Sequence, residues 1–187
     1  MNHKGTQTLQ TQRLILRPFA YADAASMFNN WASDPIVTQF LTWPPHANLE
    51  VTQHIVTDWM ANYDFPDTYQ WAITLIHNPA EVFGSIGVVN QDELKQEAEI
   101  GYVLSRQLWN QGYITEAFEE VLRYLFEVVG FNRVEALHDV ANGASGRVMQ
   151  KVGLRFEGIS RQGGFNNRGI VDQATYAIIK ADLERSE

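Results

Sequence analysis

The chain has 187 residues, of which 45% are hydrophobic and 19% are charged, and this composition predicts a folded globular protein rather than a disordered chain. Its net charge of −8 argues against broad nucleic-acid binding, which needs a basic face, and mildly favours cationic partners such as amines. The absence of cysteine excludes disulfides, thiolate metal sites and a cysteine nucleophile.

Two features of the hydropathy pattern also predict a cytoplasmic protein. The first residues lack the apolar segment of a signal peptide, and no apolar run approaches the eighteen residues of a membrane span. We expect residues 1–10 to form a poorly ordered N-terminus. No repeat or linker divides the sequence, so residues 1–187 are predicted to form a single domain.

The N-terminal half is predicted to contain one strand and two helices. The elements are a strand over 13–19, a helix over 21–32, an irregular aromatic stretch over 36–48 and a helix over 49–63. Pro18 ends the strand, and Asp34-Pro35 ends the first helix. The second helix is predicted to turn Val51, Ile55 and Trp59 inward, with Met60 as a further candidate.

From residue 69 the apolar pattern alternates with a period of two, which predicts strands. Strands are predicted over 69–76, 82–89 and 97–104, joined by turns over 77–81 and 90–96. A long helix follows Gly112, and after it come a strand over 133–140 and a helix over 142–153 that Gly153 stops. The last predicted elements are a strand over 154–158, a flexible loop over 162–169 and a strand over 172–179. This order predicts an α+β fold around one sheet.

The most informative segment runs from a strand through Gly112 into the long helix. Apolar residues recur along that helix with helical spacing, at Ile114, Ala117, Phe118, Val121, Leu122, Leu125, Phe126 and Val129. A glycine at such a junction lets backbone N–H groups face an anion at the positive end of the helix. We therefore expect a phosphate-bearing ligand there, with the carboxylates of Glu97 and Glu99 on the preceding strand.

Six short segments in this order resemble the GNAT superfamily of acetyl-CoA-dependent N-acetyltransferases, most closely its branch of ribosomal-protein N-terminal acetyltransferases. They are Arg13-Leu-Ile-Leu-Arg-Pro, Glu99-Ile-Gly-Tyr, Trp109-Asn-Gln-Gly-Tyr-Ile-Thr-Glu-Ala, Asn142-Gly-Ala-Ser, Met149-Gln-Lys-Val-Gly-Leu-Arg-Phe-Glu-Gly and Asp172-Gln-Ala-Thr-Tyr. The resemblance implies a central mixed, mostly antiparallel sheet of six to seven strands with flanking helices. It also implies that two strands splay apart at the cofactor site.

The resemblance further implies which residues bind acetyl-CoA. Strand backbone would pair with pantetheine, loop amides would hold the pyrophosphate, Asn142 would hydrogen-bond pantetheine, and two cations could meet the 3′-phosphate. The implied residues are Tyr102, Val103, Leu104, Gln111, Gly112, Tyr113, Ile114, Thr115, Asn142, Ser145, Arg147 and Lys151. Plain core packing for the strand residues and solvated helix charges for Arg147 and Lys151 are the alternatives.

Two positions depart from the family pattern. Ile114 stands where the pyrophosphate loop usually carries Gly or Ala, which predicts an altered fit of the cofactor rather than a lost site. Met149 stands where many members carry a tyrosine that protonates the departing thiolate, and methionine cannot donate a proton. Ser145 is the nearest substitute. The alternatives are a serine that only caps the helix, or no acid at all, because a thiol with a pKa of ~8.5 leaves readily.

A carboxylate is the expected base, because an amine with a pKa near ~10 is mostly charged at neutral pH. Glu99 stands where several members carry a catalytic glutamate, and Glu97 is a weaker candidate. The alternative is an ordinary solvated or salt-bridged carboxylate. For the acceptor cleft we expect Phe40, Trp43 and Glu97, and we assign no metal because the histidines lack metal-ligand spacing.

The predicted function is transfer of an acetyl group to a primary amine, either a protein N-terminus or a small amine, by a monomer or homodimer. A small-molecule acetyltransferase acting on antibiotics or polyamines shares every feature except the acceptor cleft. A CoA-binding regulatory module without turnover is the alternative from another class, and Ile114 and Met149 give it modest support.

Overall fold

Within the residues that this computed structural model describes, 1–183, eight strands form one sheet in the order β1-β2-β3-β4-β5-β6-β8-β7. The strands are β1 (Leu9–Gln10), β2 (Leu14–Arg17), β3 (Gln70–Leu75), β4 (Asn78–Asp92), β5 (Glu97–Leu104), β6 (Arg133–Asp139), β7 (Arg155–Asn166) and β8 (Gly169–Ile179). The predicted α+β fold with a mixed, mostly antiparallel sheet is confirmed. The sheet has eight strands rather than six to seven.

Helices cover both faces of this sheet. They are α1 (Asp23–Met27), α2 (Pro35–Thr38), α3 (Leu49–Asn62), α4 (Tyr113–Arg123), α5 (Gly143–Lys151) and α6 (Lys180–Leu183). Helices α1 and α4 continue as π-helical turns over Phe28–Ala32 and Tyr124–Val129. None of the helices in residues 1–183 has the length and apolar character needed to cross a membrane.

Two apolar cores lie on opposite faces of the sheet. On one face α4 buries Phe118, Val121 and Leu125 against strand residues such as Trp71, as its periodicity predicts. On the other face a smaller cluster joins Phe19, Met27, Trp31 and Val56 from the segment after β2, α1, the π-helical turn that continues α1, and α3. The sheet is thereby fixed between two helical layers.

Two strands in the middle of the sheet separate along their length. Strands β5 and β6 are parallel and pair only through Glu97–Arg133, Ala98–Val134 and Glu99–Glu135, whereas the other neighbouring strands are antiparallel. The remaining five residues of β5 have no register partner on β6. The splayed strands that the resemblance implied are therefore present, and the gap between them opens next to Glu99.

The inward face of α3 differs from the prediction by one position. Thr52 and Val56 are buried, while Val51 and Met60 are exposed and Ile55 is only partly buried. One residue corresponds to a rotation of about 100° around a helix. This face follows from packing against α1 and the π-helical turn after it, which the apolar pattern of α3 alone does not predict.

The glycine-rich segment 162–169 was expected to be a flexible loop, and this expectation is wrong. The segment forms the distal part of the β7–β8 hairpin, whose turn is Asn167–Arg168. The side-chain amide nitrogen of Asn167 lies 2.7–3.0 Å from the carbonyl oxygens of Thr38, Leu41 and Trp43. These long-range bonds attach the hairpin tip to the loop after α2.

The first ten residues, expected to be poorly ordered, have defined contacts in the structure. The Asn2 N–H donates to the Val129 carbonyl at 2.7 Å, and His3 Nδ1 lies 2.8 Å from the Tyr69 hydroxyl. Leu9 is buried, and β1 pairs with β2. These contacts come from residues far away in the sequence, so the local composition gave no sign of them.

Replacing Asn167 with alanine should destabilise the protein by about 1–3 kcal/mol, because three carbonyl groups lose their contact with the side-chain amide of Asn167. Urea denaturation of Asn167→Ala measures this loss. Asn132→Ala is the matched control, since the Asn132 side chain is exposed and makes no hydrogen bond with residues 1–183. Equal stability of the two variants would show that the hairpin tip is not fastened by Asn167.

Candidate functional site

A cavity of about 400 Å³ occupies the gap where β5 and β6 part. Four segments line it: α2 with the loop after it, the end of β5, the turn into α4 with the first residues of that helix, and α5 with the residues just before it. The lining residues are Ile36, Val37, Gln39, Phe40, Leu41, Tyr102, Val103, Leu104, Leu108, Trp109, Asn110, Gly112, Tyr113, Ile114, Thr115, Ala141, Asn142, Gly143, Ala144, Ser145, Arg147, Val148 and Lys151. Segments far apart in sequence therefore meet around one space.

The residues expected to bind a cofactor are brought together by this cavity, with one exception. Tyr102, Val103, Leu104, Gly112, Tyr113, Ile114, Thr115, Asn142, Ser145, Arg147 and Lys151 all line it. Gln111 does not, and its carbonyl instead accepts a hydrogen bond of 3.0 Å from Arg13 Nη1. Gln111 therefore contributes to the loop through this hydrogen bond with Arg13, the residue directly before β2.

The start of α4 presents open amides to the cavity. Gly112 is the N-cap residue with a φ of +80°, a conformation that favours glycine, and no side chain caps the helix. The first helical bond runs from the Glu116 N–H to the Gly112 carbonyl, so the N–H groups of residues 113–115 precede the hydrogen-bonded helix. Open amides at the positive end of a helix suit an anion such as a diphosphate.

An unpredicted network fastens this turn to the start of β2. The Glu116 carboxylate accepts from the Thr11 hydroxyl at 2.5 Å, the Arg13 backbone N–H at 2.9 Å and Arg13 Nε at 2.6 Å. The Arg13 guanidinium also lies 4.1 Å from the centre of the Tyr113 ring. Arg13 and Glu116 both belong to the family-like segments, which is the one signal in the sequence that could have identified them.

The turn is also fastened from the side of β5. The Trp109 indole N–H donates to the Leu104 carbonyl at 2.7 Å, and Trp109 itself lines the cavity. This hydrogen bond joins the loop between β5 and α4 to the end of β5. The amides at the start of α4 thereby keep a fixed direction relative to the splayed strand.

Positive charge is available at the rim of the cavity. Arg147 and Lys151 lie one turn apart on α5 with exposed side chains, and neither forms an ion pair with any residue in 1–183. Unpaired cations beside open amides favour a ligand with several phosphates. Asn142 caps α5 through its side-chain oxygen, which accepts from the Ser145 N–H at 3.4 Å. Its side-chain amide nitrogen therefore remains available to donate a hydrogen bond.

A hydroxyl pair faces the cavity from β5 and α5. The Tyr102 hydroxyl lies 2.8 Å from Ser145 Oγ and 3.1 Å from the Ser145 carbonyl oxygen. Burial raises the pKa of Tyr102, so the phenol keeps its proton at neutral pH. Met149, which occupies the position of the family's tyrosine, is 1% exposed and belongs to the core. Met149 therefore fills space in the core and does not face the cavity.

The expected acidic residues lie on the sheet face beside the gap, outside the cavity lining. Glu97 is bound by Arg133 at 2.6 Å, so this candidate for the substrate cleft is occupied by an ion pair. Glu99 belongs to the last β5–β6 pair, opposite Glu135. Burial, followed by the nearby charges of Glu135 and Glu97, raises the pKa of Glu99 above its usual range.

The two aromatic residues expected at the acceptor cleft have different positions. Phe40 lines the cavity, and the Arg168 guanidinium lies 5.2 Å from the centre of its ring. Trp43 does not line the cavity, because its ring packs at 4.9 Å from that of His46 and against the smaller core. Among residues 1–183 no group of three or more His, Asp or Glu side chains is suited to holding a metal ion, and a metal-free site stays a prediction.

Comparison with known proteins gives the family. The profile described as "Acetyltransferase (GNAT) domain" matches residues 13–155. The chain belongs to the GNAT family of acetyltransferases. A relative in this GNAT family, the uncharacterized N-acetyltransferase YoaA of Bacillus subtilis (strain 168), is 30% identical over 172 residues, covering 92% of this chain and 96% of the relative.

Solved structures of GNAT proteins share the fold. An acetyltransferase of the GNAT family from Bacillus anthracis matches with a TM-score of 0.82 and 26% identity, covering 94% of this chain and 99% of that chain. RimL, the ribosomal L7/L12 alpha-N-protein acetyltransferase in complex with coenzyme A, matches with a TM-score of 0.82 and 19% identity over 92% of this chain and 98% of that chain. The resemblance expected from the sequence is confirmed at the level of the GNAT family.

Replacing Gly112 with glutamate should weaken binding of coenzyme A by at least ~100-fold, because the carboxylate puts bulk and negative charge against the anion site. Isothermal titration calorimetry with coenzyme A measures the affinity. Gly130→Glu is the matched control: Gly130 has a similar φ of +91° at the other end of the helix, and a Cβ there meets nothing within 4 Å. Native affinity in Gly112→Glu would show that the anion site lies elsewhere.

Proposed function

We propose that the protein transfers an acetyl group from acetyl-CoA directly to a primary amine, on a protein N-terminus or a small molecule. The observation that carries the proposal is an unpaired carboxylate, Glu99, at the point where β5 and β6 separate beside a cavity with open helix amides. Membership of the GNAT family supports the acetyl donor. Cytoplasmic location and the monomeric or dimeric state stay predictions.

The donor side of the site supports acetyl-CoA as the substrate. The open amides of residues 113–115 would hold the diphosphate, and Arg147 and Lys151 would meet further phosphate charge. The main chain of Tyr102–Leu104, which pairs with β4 but has no partner on β6, would hydrogen-bond the pantetheine chain on that open side. The thioester supplies the acyl group, so the chain needs no covalent intermediate of its own.

The acceptor amine needs a base on the other side of the gap. Because an ammonium group with a pKa near ~10 is not nucleophilic, Glu99 accepts its proton before or during attack. The Glu99 side chain does not line the cavity, so a water molecule held by the carboxylate relays this proton. The raised pKa of Glu99 brings its basicity closer to neutral pH, which favours reversible proton transfer.

The departing thiolate has a proton donor within the site. The Tyr102 hydroxyl lies 2.8 Å from Ser145 Oγ and 3.1 Å from the Ser145 carbonyl oxygen; when Tyr102 donates to Oγ, the serine O–H is free to be donated to the thiolate. Because a thiol has a low pKa of ~8.5, this help is worth less than that of the base. The Tyr102–Ser145 pair favours an active enzyme over a CoA-binding module, since Met149 is a core residue and not a lost acid.

The acceptor itself is proposed only as a class. RimL, which shares the fold, is named for acetylating the alpha-amine of a ribosomal protein. The face around Glu99 is acidic and open, which suits a cationic amine on either a polypeptide or a small molecule. A panel of peptides and polyamines, assayed for thiol release from acetyl-CoA, separates these acceptors from each other and from a module that binds CoA without turnover.

Glu99→Gln should lower kcat by about 10²-fold or more and leave the affinity for acetyl-CoA unchanged, because it removes only the base. Its rate should also lose the fall towards acidic pH that protonation of Glu99 causes in the native enzyme. Glu119→Gln, an exposed glutamate on α4, is the control and should behave as the native enzyme. Native turnover in Glu99→Gln would remove Glu99 from this role.

Ser145→Ala should lower kcat by roughly tenfold or less, since the leaving thiolate needs limited assistance. Tyr102→Phe should cause a similar loss, and the double variant should be no slower than either single variant because the two hydroxyls act as one unit. Steady-state kinetics with saturating acetyl-CoA gives these values. Additive losses would contradict a shared role in protonating the thiolate.

A further inference from the structure

One arginine binds three glutamates on the sheet face beside the gap. Arg133 Nε donates to Glu97 at 2.6 Å, and Nη2 donates to Glu135 at 2.7 Å. Glu157 on β7 accepts from Arg133 Nη1 and Nη2, both at 2.8 Å. Arg133 is 22% exposed, so these contacts are partly protected from water. Every N–H-bearing nitrogen of this guanidinium is engaged by a carboxylate.

Glu99 is the fourth glutamate of this face and receives none of these bonds. It lies directly opposite Glu135 in the parallel β5–β6 pair, and it is two residues from Glu97 on the same face. In residues 1–183 no side chain forms an ion pair or hydrogen bond with its carboxylate. The arrangement therefore divides four carboxylates into three that are bound and one that is free.

We propose that Arg133 is a positioning residue that binds the three neighbouring glutamates and thereby leaves Glu99 as the single free base at the gap. The proposal rests on the proposed function, because it needs Glu99 to accept a proton from the acceptor amine. With Arg133 present, Glu97 and Glu135 are held as ion pairs and do not compete for that proton. Its positive charge also limits the repulsion that three anions exert on Glu99.

Glu135 and Glu97 are the charged groups that act on Glu99, and further charged groups are linked to them by ion pairs. These are Arg133 on β6, Glu157 on β7, Lys95 in the turn before β5 and Asp92 on β4. Lys95 is bound to Asp92 at 3.3 Å and lies 3.9 Å from Glu97, with 67% of its side chain exposed. It is therefore a weak substitute for Arg133, and loss of the arginine leaves this face strongly negative.

The charges on this face predict the direction in which substitutions should shift the pKa of Glu99, and an experiment can measure that direction. The raised pKa of Glu99 comes first from burial and then from Glu135 and Glu97. Hydrogen bonds from Arg133 to Glu157, Glu135 and Glu97 keep the arginine charged, with its pKa raised despite burial. Removing the cation should make Glu99 hold its proton to higher pH, and removing a neighbouring anion should have the opposite effect.

The test is the pH profile of kcat/KM for one amine in Arg133→Gln, Arg133→Lys and Glu135→Gln. The acidic limb is the fall of kcat/KM towards low pH. Arg133→Gln should move this limb to higher pH by about one pH unit, and the rate should recover at high pH. Arg133→Lys keeps the charge and should restore most of the native profile, while Glu135→Gln should shift the limb downward. Arg123→Gln, which removes an arginine that bridges Glu120 and Glu127 on α4, is the control and should not shift it.

The outcomes separate this inference from the proposed function. If Glu99→Gln removes the acidic limb but Arg133→Gln lowers the rate equally at every pH, Arg133 has only a structural role and the inference fails alone. An unshifted limb in Glu135→Gln would likewise overturn it. If Glu99→Gln keeps the native limb and rate, the proposed base fails. Should Arg133→Gln not fold, the downward shift expected for Glu135→Gln and the near-native profile expected for Arg133→Lys still decide the question.

Discussion

The separation of β5 from β6 after three residue pairs is the constraint on which the rest of the site depends. It leaves the main chain of Tyr102–Leu104 without a partner on the β6 side, opens the cavity and exposes the amides at the start of α4 to it. The same separation places Glu99 at the boundary between the paired and the unpaired sheet. In the proposed reaction, the donor thioester and the acceptor amine would approach each other through this gap.

Features that depend on local sequence were predicted well. The apolar period after Gly112 predicted the buried face of α4, and the position of Gly112 between strand and helix predicted a helix start with open amides. Strand β5 was predicted over its full range, Glu97–Leu104. Most of the expected cofactor residues line one cavity because the family resemblance fixed their place in the fold, which no local pattern could have done.

Features that depend on long-range contacts were missed. The β7–β8 hairpin tip looked like a loop because its residues are polar and glycine-rich, but the Asn167 side chain contacts three carbonyls of a segment far away in the sequence. Trp43 and Glu97 looked available for the acceptor, but one packs into the smaller core and the other is bound by Arg133. The distinction between Glu97 and Glu99 arises from β6 and β7, so no inspection of β5 alone could have made it.

The measurement that tests the central claim most directly is a crystal structure of the protein with acetyl-CoA bound. The account predicts diphosphate oxygens within about 2.7–3.2 Å of the N–H groups of residues 113–115. It also predicts the thioester between the splayed strands, with its sulfur near Ser145 and its carbonyl carbon open towards the Glu99 face. A diphosphate bound away from the start of α4, or a thioester that does not enter the gap, would contradict it.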